Sequence, residues 1–205
     1  MSRGPARGPF AEWRNEPLKA VALRARLAAP RRRRQFHSFG AGSILHKPAW
    51  VYGPHHIAVG SNVILLEGLW LSAERVGWNK PEPTLRLGDG VGVRPFCTIS
   101  AAESVVLEDN VILSAYTSVL DSEHTWRGGH PNPVWNPLDT APVRIGEGTL
   151  VGAGVAVLAG ANIGRFCFIG ANSVVKGEIP DFSIAVGAPA RVVGTTFGKG
   201  TEVFR

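Results

Sequence analysis

Several things are scarce in this chain of 205 residues, and each scarcity excludes something. Cysteine occurs twice, at Cys97 and Cys167, so there is neither a disulfide framework nor a paired-cysteine zinc motif. That usage suits a reducing compartment, and a cytoplasmic location is expected. No apolar run approaches the roughly 18 residues that a membrane-spanning helix needs. An uninterrupted apolar signal segment is also missing, because Lys19, Arg24 and Arg26 break the stretch from Leu18 to Ala29. Glycine and proline, by contrast, are abundant at 25 and 15 residues, more than helical bundles tolerate. The composition favours a turn-rich β protein.

Acidic residues are scarce only locally. Met1 to Gly40 holds nine arginines and one lysine against Glu12 and Glu16, whereas Ala41 to Arg205 holds 12 basic and 14 acidic side chains. The excess positive charge therefore belongs to an appendage and not to the fold. Pro17, Leu18, Val21, Ala22 and Ala25 suggest a short helix with an apolar stripe inside this arm. The run Arg31 to Arg34 is expected to stay solvated or to meet anionic lipid headgroups as a peripheral membrane contact. The arm lacks the interleaved aromatics of single-strand binders, and no nucleic-acid partner is expected.

The strongest signal is a repeat. Ile145, Val151, Val157, Ile163, Ile169 and Val175 fall six residues apart, and four of them are followed by glycine. Six is even, so in extended chain each repeat returns to the same face; on a helix the same residues would scatter around the cylinder. The residues four beyond, Thr149, Val155, Ala161, Cys167, Ser173 and Ile179, are mostly small and point the same way. Bulky and small residues sharing a narrow interior describe a β-solenoid, with the following glycines expected to turn the corners at positive φ. The frame recurs at Val59 and Leu65, at Leu87, Val93 and Ile99, and at Leu107, Leu113 and Val119. Cys97 and Cys167 obey it and are expected to be buried. Residues 72–86 and 121–142 leave it as loop excursions, and long loops on a regular scaffold often carry function.

With Asp121-Ser-Glu-His124 before the repeat, Ile179-Pro180 closing it and Val186-Gly-Ala-Pro-Ala-Arg191 after it, the chain resembles the left-handed parallel β-helix acyltransferases. The maltose, galactoside and polysaccharide O-acetyltransferases are the most similar branch. The resemblance covers roughly Ile44 to Val193 and implies an all-β, left-handed parallel β-helix over 41–194. A basic helical arm over 1–40 and a tail over 195–205 flank it. It further implies a homotrimer, acetyl-CoA as co-substrate, a sugar or glycan-precursor acceptor and no metal. By this likeness His124 is the catalytic base, since an imidazole titrating near neutrality can take a proton from a sugar hydroxyl. Asp121, or else Glu123, would hold its other nitrogen. Ala153, Ala171, Lys176 and Arg191 fall at positions that contact the cofactor in the family. Lys176-Gly177 replaces its usual threonine-lysine, and Gly194 stands where a second basic residue is common. On the acceptor side Arg94 and Phe96 replace the sugar-contacting asparagine region, and Trp126 could stack on a sugar ring. Two other readings stay open: a non-catalytic trimeric scaffold, and a zinc carbonic-anhydrase-like site using His124, His130 and His55 or His56. An amine acceptor or a longer acyl donor also fits the motifs.

Overall fold

A computed structural model describes residues 30–74, 83–126 and 129–197. The helix expected near Pro17 lies outside them. Among the described residues the chain winds through three parallel sheets in turn, so consecutive strands belong to different faces of a triangular coil. The first sheet contains Ser38–Phe39, Ile57–Val59, Leu85–Leu87, Val105–Leu107, Val143–Ile145, Asn162–Ile163 and Glu178–Ile179. Ile44–Leu45, Ile64–Leu65, Gly92–Val93, Ile112–Leu113, Leu150–Val151, Phe168–Ile169 and Ser183–Val186 form the second, which ends in antiparallel Arg191–Thr195. Trp50–Tyr52, Trp70–Ala73, Thr98–Ala101, Ser118–Leu120, Ala156–Val157 and Val174–Val175 form the third.

The six-residue spacing sets this geometry. Ile145, Val151 and Val157 are inward residues of the first, second and third sheets, and Ile145 pairs with Ile163 one full turn later. All the repeat aliphatics are buried, as are the residues four beyond each. Removing an aliphatic side chain of this size from water stabilises the fold by about 1.5–3 kcal/mol. The buried Thr149 hydroxyl is satisfied between turns: its Oγ1 donates to the Gly164 carbonyl at 2.8 Å and accepts from the Cys167 amide at 3.0 Å. Burial also pushes both cysteine thiols above their ordinary range.

Three expectations need correction. The glycines after the aliphatics do not carry the positive φ; that conformation falls three residues after the aliphatic, at Gly148, Gly154, Gly160, Phe166 and Asn172. Gly152 is instead required by close approach, because a Cβ there would lie 2.6 Å from the Ala171 amide nitrogen. The coil also starts earlier than residue 41: Ser38 and Phe39 already pair with Ala58 and Val59, and Phe39 is core. Finally, the excursions are shorter or more ordered than expected. Ser72, Ala73, Leu85 and Arg86 are strand residues, and the 121–142 segment folds into a hairpin of Ser122–His124 with Leu138–Thr140 around a 3-10 turn at Pro133–Trp135.

The outward columns of the sheets differ sharply. The first presents Arg86, Arg144, Asn162 and Glu178, with Arg144 paired to Glu108 at 2.7 Å. The second presents Ile44, Ile64, Ile112, Leu150 and Phe168. The third begins with Trp50 and Trp70 and continues through Thr98 and Ser118.

Candidate active site

His124 owes its position to the hairpin. After Ser118–Leu120 the chain reaches the edge where the third sheet turns toward the first, and Asp121 begins the departure. Ser122, Glu123 and His124 then pair with Thr140, Asp139 and Leu138. The His124 Nδ1 lies 3.2 Å from the Asn136 carbonyl oxygen, so this nitrogen carries the proton and the Nε2 lone pair remains for acceptance. Asn136 is buried and ties the loop together: its amide Nδ2 donates to the Thr125 carbonyl at 2.8 Å and its Oδ1 accepts from the His130 amide at 3.2 Å. The imidazole lines a cleft of about 250 Å³ with Ser72, Ser100, Ser122, Glu74, Leu138 and the chain at Ala101–Ala102.

Asp121 does something other than hold the imidazole. It is fully buried, and its Oδ1 accepts from the Ala102 amide at 2.8 Å while its Oδ2 accepts from Glu103 and Ser104 at 2.7 and 2.8 Å. Both oxygens thus serve the turn at 102–104, which forms one wall of the cleft. The orienting group for His124 is a backbone carbonyl, and Asp121 supports the wall against which the histidine stands.

The remaining residues singled out from the sequence separate by edge. Ala153 and Ala171 occupy successive turns of the corner between the second and third sheets, where the Asn172 amide donates to the Ala153 carbonyl at 2.8 Å. Phe96 belongs to the same corner two turns earlier, at φ 61, stacked on Tyr116 with ring centroids 5.4 Å apart. Arg94 is exposed just before it, beside a small depression with Ile64, Gly92 and Ile112. Lys176 follows Val174–Val175 at the opposite edge of the third sheet, the edge that His124 leaves from. Arg191 is exposed at the C-terminal end of the coil, its Nη1 donating to the Ala190 carbonyl at 2.9 Å. Trp126, two residues past His124, is 82% exposed. The structure therefore brings His124 and Lys176 to one edge, and Ala153, Ala171, Phe96 and Arg94 to or beside the other. A strand of three to four residues, about 10–13 Å, lies between.

Of the histidines weighed for a metal, His130 Nδ1 accepts from the Asn132 amide at 3.0 Å. His55 and His56 line a second cleft of about 340 Å³ with Tyr52, Gly53, Ala73 and Glu74. Among the described residues no three of His, Cys, Asp or Glu are grouped to hold a metal within one chain.

Sequence reasoning missed Asn136, Ser72, Ser100 and Glu74. Asn136 has no local signature, since its role depends on a hairpin closing around it. Ser72 and Ser100 follow the inward Leu71 and Ile99 by one residue, so a full register assignment would have stacked them on one outward column.

Residues 142–177 match the family described as bacterial transferase hexapeptide (six repeats). A protein of Mycobacterium tuberculosis named a probable acetyltransferase is 38% identical over 117 residues, which is 55% of this chain and 37% of that protein. The chain thus spans little more than a third of that relative. A protein of Escherichia coli named "Putative lipopolysaccharide biosynthesis O-acetyl transferase WbbJ" is 28% identical over 158 residues, 73% of this chain and 77% of that one. Among solved structures, the N-acyltransferase AntD from Bacillus cereus, in complex with dTDP and coenzyme A, superposes with a TM-score of 0.67 at 20% identity. That alignment covers 82% of this chain and 88% of AntD, a likeness of fold. The six-residue frame and three-sheet coil give the chain the left-handed parallel β-helix fold of these solved structures, with the transferase hexapeptide repeat matched over residues 142–177.

Proposed function

We propose that the protein transfers an acetyl group from acetyl-CoA to a hydroxyl of a sugar or glycan precursor, with His124 as general base. The observation that carries this reading is the His124 imidazole. Its Nδ1 faces a backbone carbonyl, which leaves the Nε2 electron pair to accept a proton, and His124 lines a cleft with three serines. Acetyl-CoA supplies a thioester carbonyl open to attack. His124 accepts the proton of the acceptor hydroxyl as its oxygen bonds to that carbon, and returns the proton to the departing thiolate as the carbon–sulfur bond breaks. No covalent intermediate on the protein is needed. The turn amides at 102–104 are engaged by Asp121, so they are not the oxyanion donors. The acetyltransferase names of the M. tuberculosis and E. coli relatives support the class of reaction, and the lipopolysaccharide role named for the latter supports a glycan acceptor.

The corner that carries Ala153 and Ala171 on successive turns would take the extended pantetheine arm, with Arg191 and, from the opposite edge of a neighbouring copy, Lys176 as cations for the phosphates of coenzyme A. Because His124 and this corner lie on opposite edges of the third sheet, a site that uses both is completed between two copies. The aliphatic column of the second sheet is a face that such a copy would cover, in a homotrimer. At the other end, Arg31, Arg33 and Arg34 are exposed on the helical residues 30–35 while Arg32 turns inward, its Nη2 donating to the Leu45 carbonyl at 3.3 Å. The exposed arginines suit a peripheral contact with an anionic membrane surface from the cytoplasmic side.

The test is His124→Ala assayed with acetyl-CoA and a panel of mono- and oligosaccharides, with coenzyme A release as readout. Turnover falls on the order of 100-fold or more while coenzyme A affinity and assembly mass stay unchanged. Wild-type turnover in that variant removes His124 from the mechanism.

A further inference from the structure

The third sheet carries exposed aromatics that the acetyl-transfer site does not use. Trp50 and Trp70 are register partners on its outward face, with ring centroids 5.6 Å apart and planes at 23°, and they are 49% and 47% exposed. Trp50 lies on the terminal strand of that sheet, so it backs Trp70 on one side. On the other side the register partner of Trp70 is Thr98, followed by Ser118, side chains too short to cover an indole. The result is a slot with an aromatic wall and a hydroxyl-bearing floor.

The slot shares its outward face with two residues of the His124 cleft. Ser72 and Ser100, which line that cleft, stand two residues beyond Trp70 and Thr98 on the same face, about 7 Å away. That separation is of the order of one sugar unit. Tyr52, the register partner of Ser72, extends the aromatic surface to the neighbouring cleft, and Glu74 lines both clefts. An indole face beside hydroxyl and carboxylate groups is the chemistry that recognises a pyranose ring, whose C–H face stacks while its hydroxyl rim hydrogen-bonds. A second copy of this chain fits the aliphatic column of the second sheet better than this mixed surface.

Resting on the acetyl-transfer reading, we infer that the slot between Trp70 and Thr98 binds a saccharide unit adjoining the one that reacts. The acceptor is then an oligosaccharide or glycan chain and not a free monosaccharide.

The experiment titrates the full chain calorimetrically with maltotetraose, cellotetraose and chitotetraose and with their monosaccharides. Sedimentation and acetyl transfer are followed in parallel. At least one tetrasaccharide binds the wild type at least tenfold more tightly than its monosaccharide. Trp70→Ala and Thr98→Phe, one removing the wall and the other filling the slot, each erase that tenfold difference while mass and coenzyme A binding are kept. The inference is overturned if no tetrasaccharide binds more tightly than its monosaccharide, or if both variants bind as the wild type does. A variant that dissociates the assembly also overturns it, because the face is then a subunit contact. Absence of acetyl transfer to any of these sugars, with tetrasaccharide binding intact, overturns the reaction assigned above and leaves the subsite standing.

Discussion

Replacing Asp121 by asparagine separates a structural carboxylate from a catalytic one. In the native turn Asp121 accepts three amide hydrogen bonds, one through Oδ1 and two through Oδ2. Asparagine keeps one acceptor oxygen but turns an NH2 group toward the amides of Glu103 and Ser104, so two charge-assisted bonds are lost. Each such bond contributes about 1.5–3 kcal/mol. Water can reach these two part-buried amides once the carboxylate is gone, which places the expected loss near the lower end, about 3 kcal/mol in all. With a urea dependence of about 2–3 kcal/mol per molar, the unfolding midpoint falls by about 1–1.5 M, measured at fixed protomer concentration because assembly contributes to apparent stability. Turnover should fall in step with the folded fraction and recover on cooling. An unfolding midpoint within about 0.2 M of the parent, together with a 100-fold loss of turnover in the folded variant, would refute the reasoning and return Asp121 to the imidazole.

Two further perturbations test the coil itself. Gly152→Ala drives a Cβ against the backbone at Ala171 and Ile169, which cannot yield without breaking the 2.8 Å bond from the Gly152 amide to the Ile169 carbonyl. A loss of about 3 kcal/mol is expected by urea unfolding. Gly177→Ala, at φ 82 with open space around the new methyl, should lose only about 1 kcal/mol, and equal losses would contradict the close-approach argument. Cys97 and Cys167, with thiols raised by burial and Sγ atoms donating to the Ser114 and Pro180 carbonyls at 3.1 Å, should alkylate at least 100-fold more slowly in the native protein than in urea; mass spectrometry after timed iodoacetamide treatment reads this directly.

The coil was legible before any coordinates because an even period of six leaves one physical solution. Extended chain returns Ile145, Val151 and Val157 to the interior, and a narrow interior needs Thr149, Ala161 and Cys167 beside them. The start of the coil at Phe39 obeyed the same spacing through Leu45 and Val51, and only the neighbouring arginines obscured it. The excursion that carries His124 was legible because the frame breaks at Asp121, and a titratable group within three residues made His124 the candidate base. Which partner holds the imidazole was not legible. Asp121 is close in sequence but is claimed by amides seventeen to nineteen residues upstream, whereas the Asn136 carbonyl is brought in by strand pairing across the hairpin. Backbone carbonyls carry no sequence signature, and buried carboxylates go to whichever donors the turn leaves unpaired. Sequence by itself thus determined the repeat, the inward column and the place where the repeat is interrupted. Tertiary structure alone decided which residues share an outward face, because Trp50, Trp70 and Thr98 become neighbours through turns of twenty and twenty-eight residues that only the closed coil aligns.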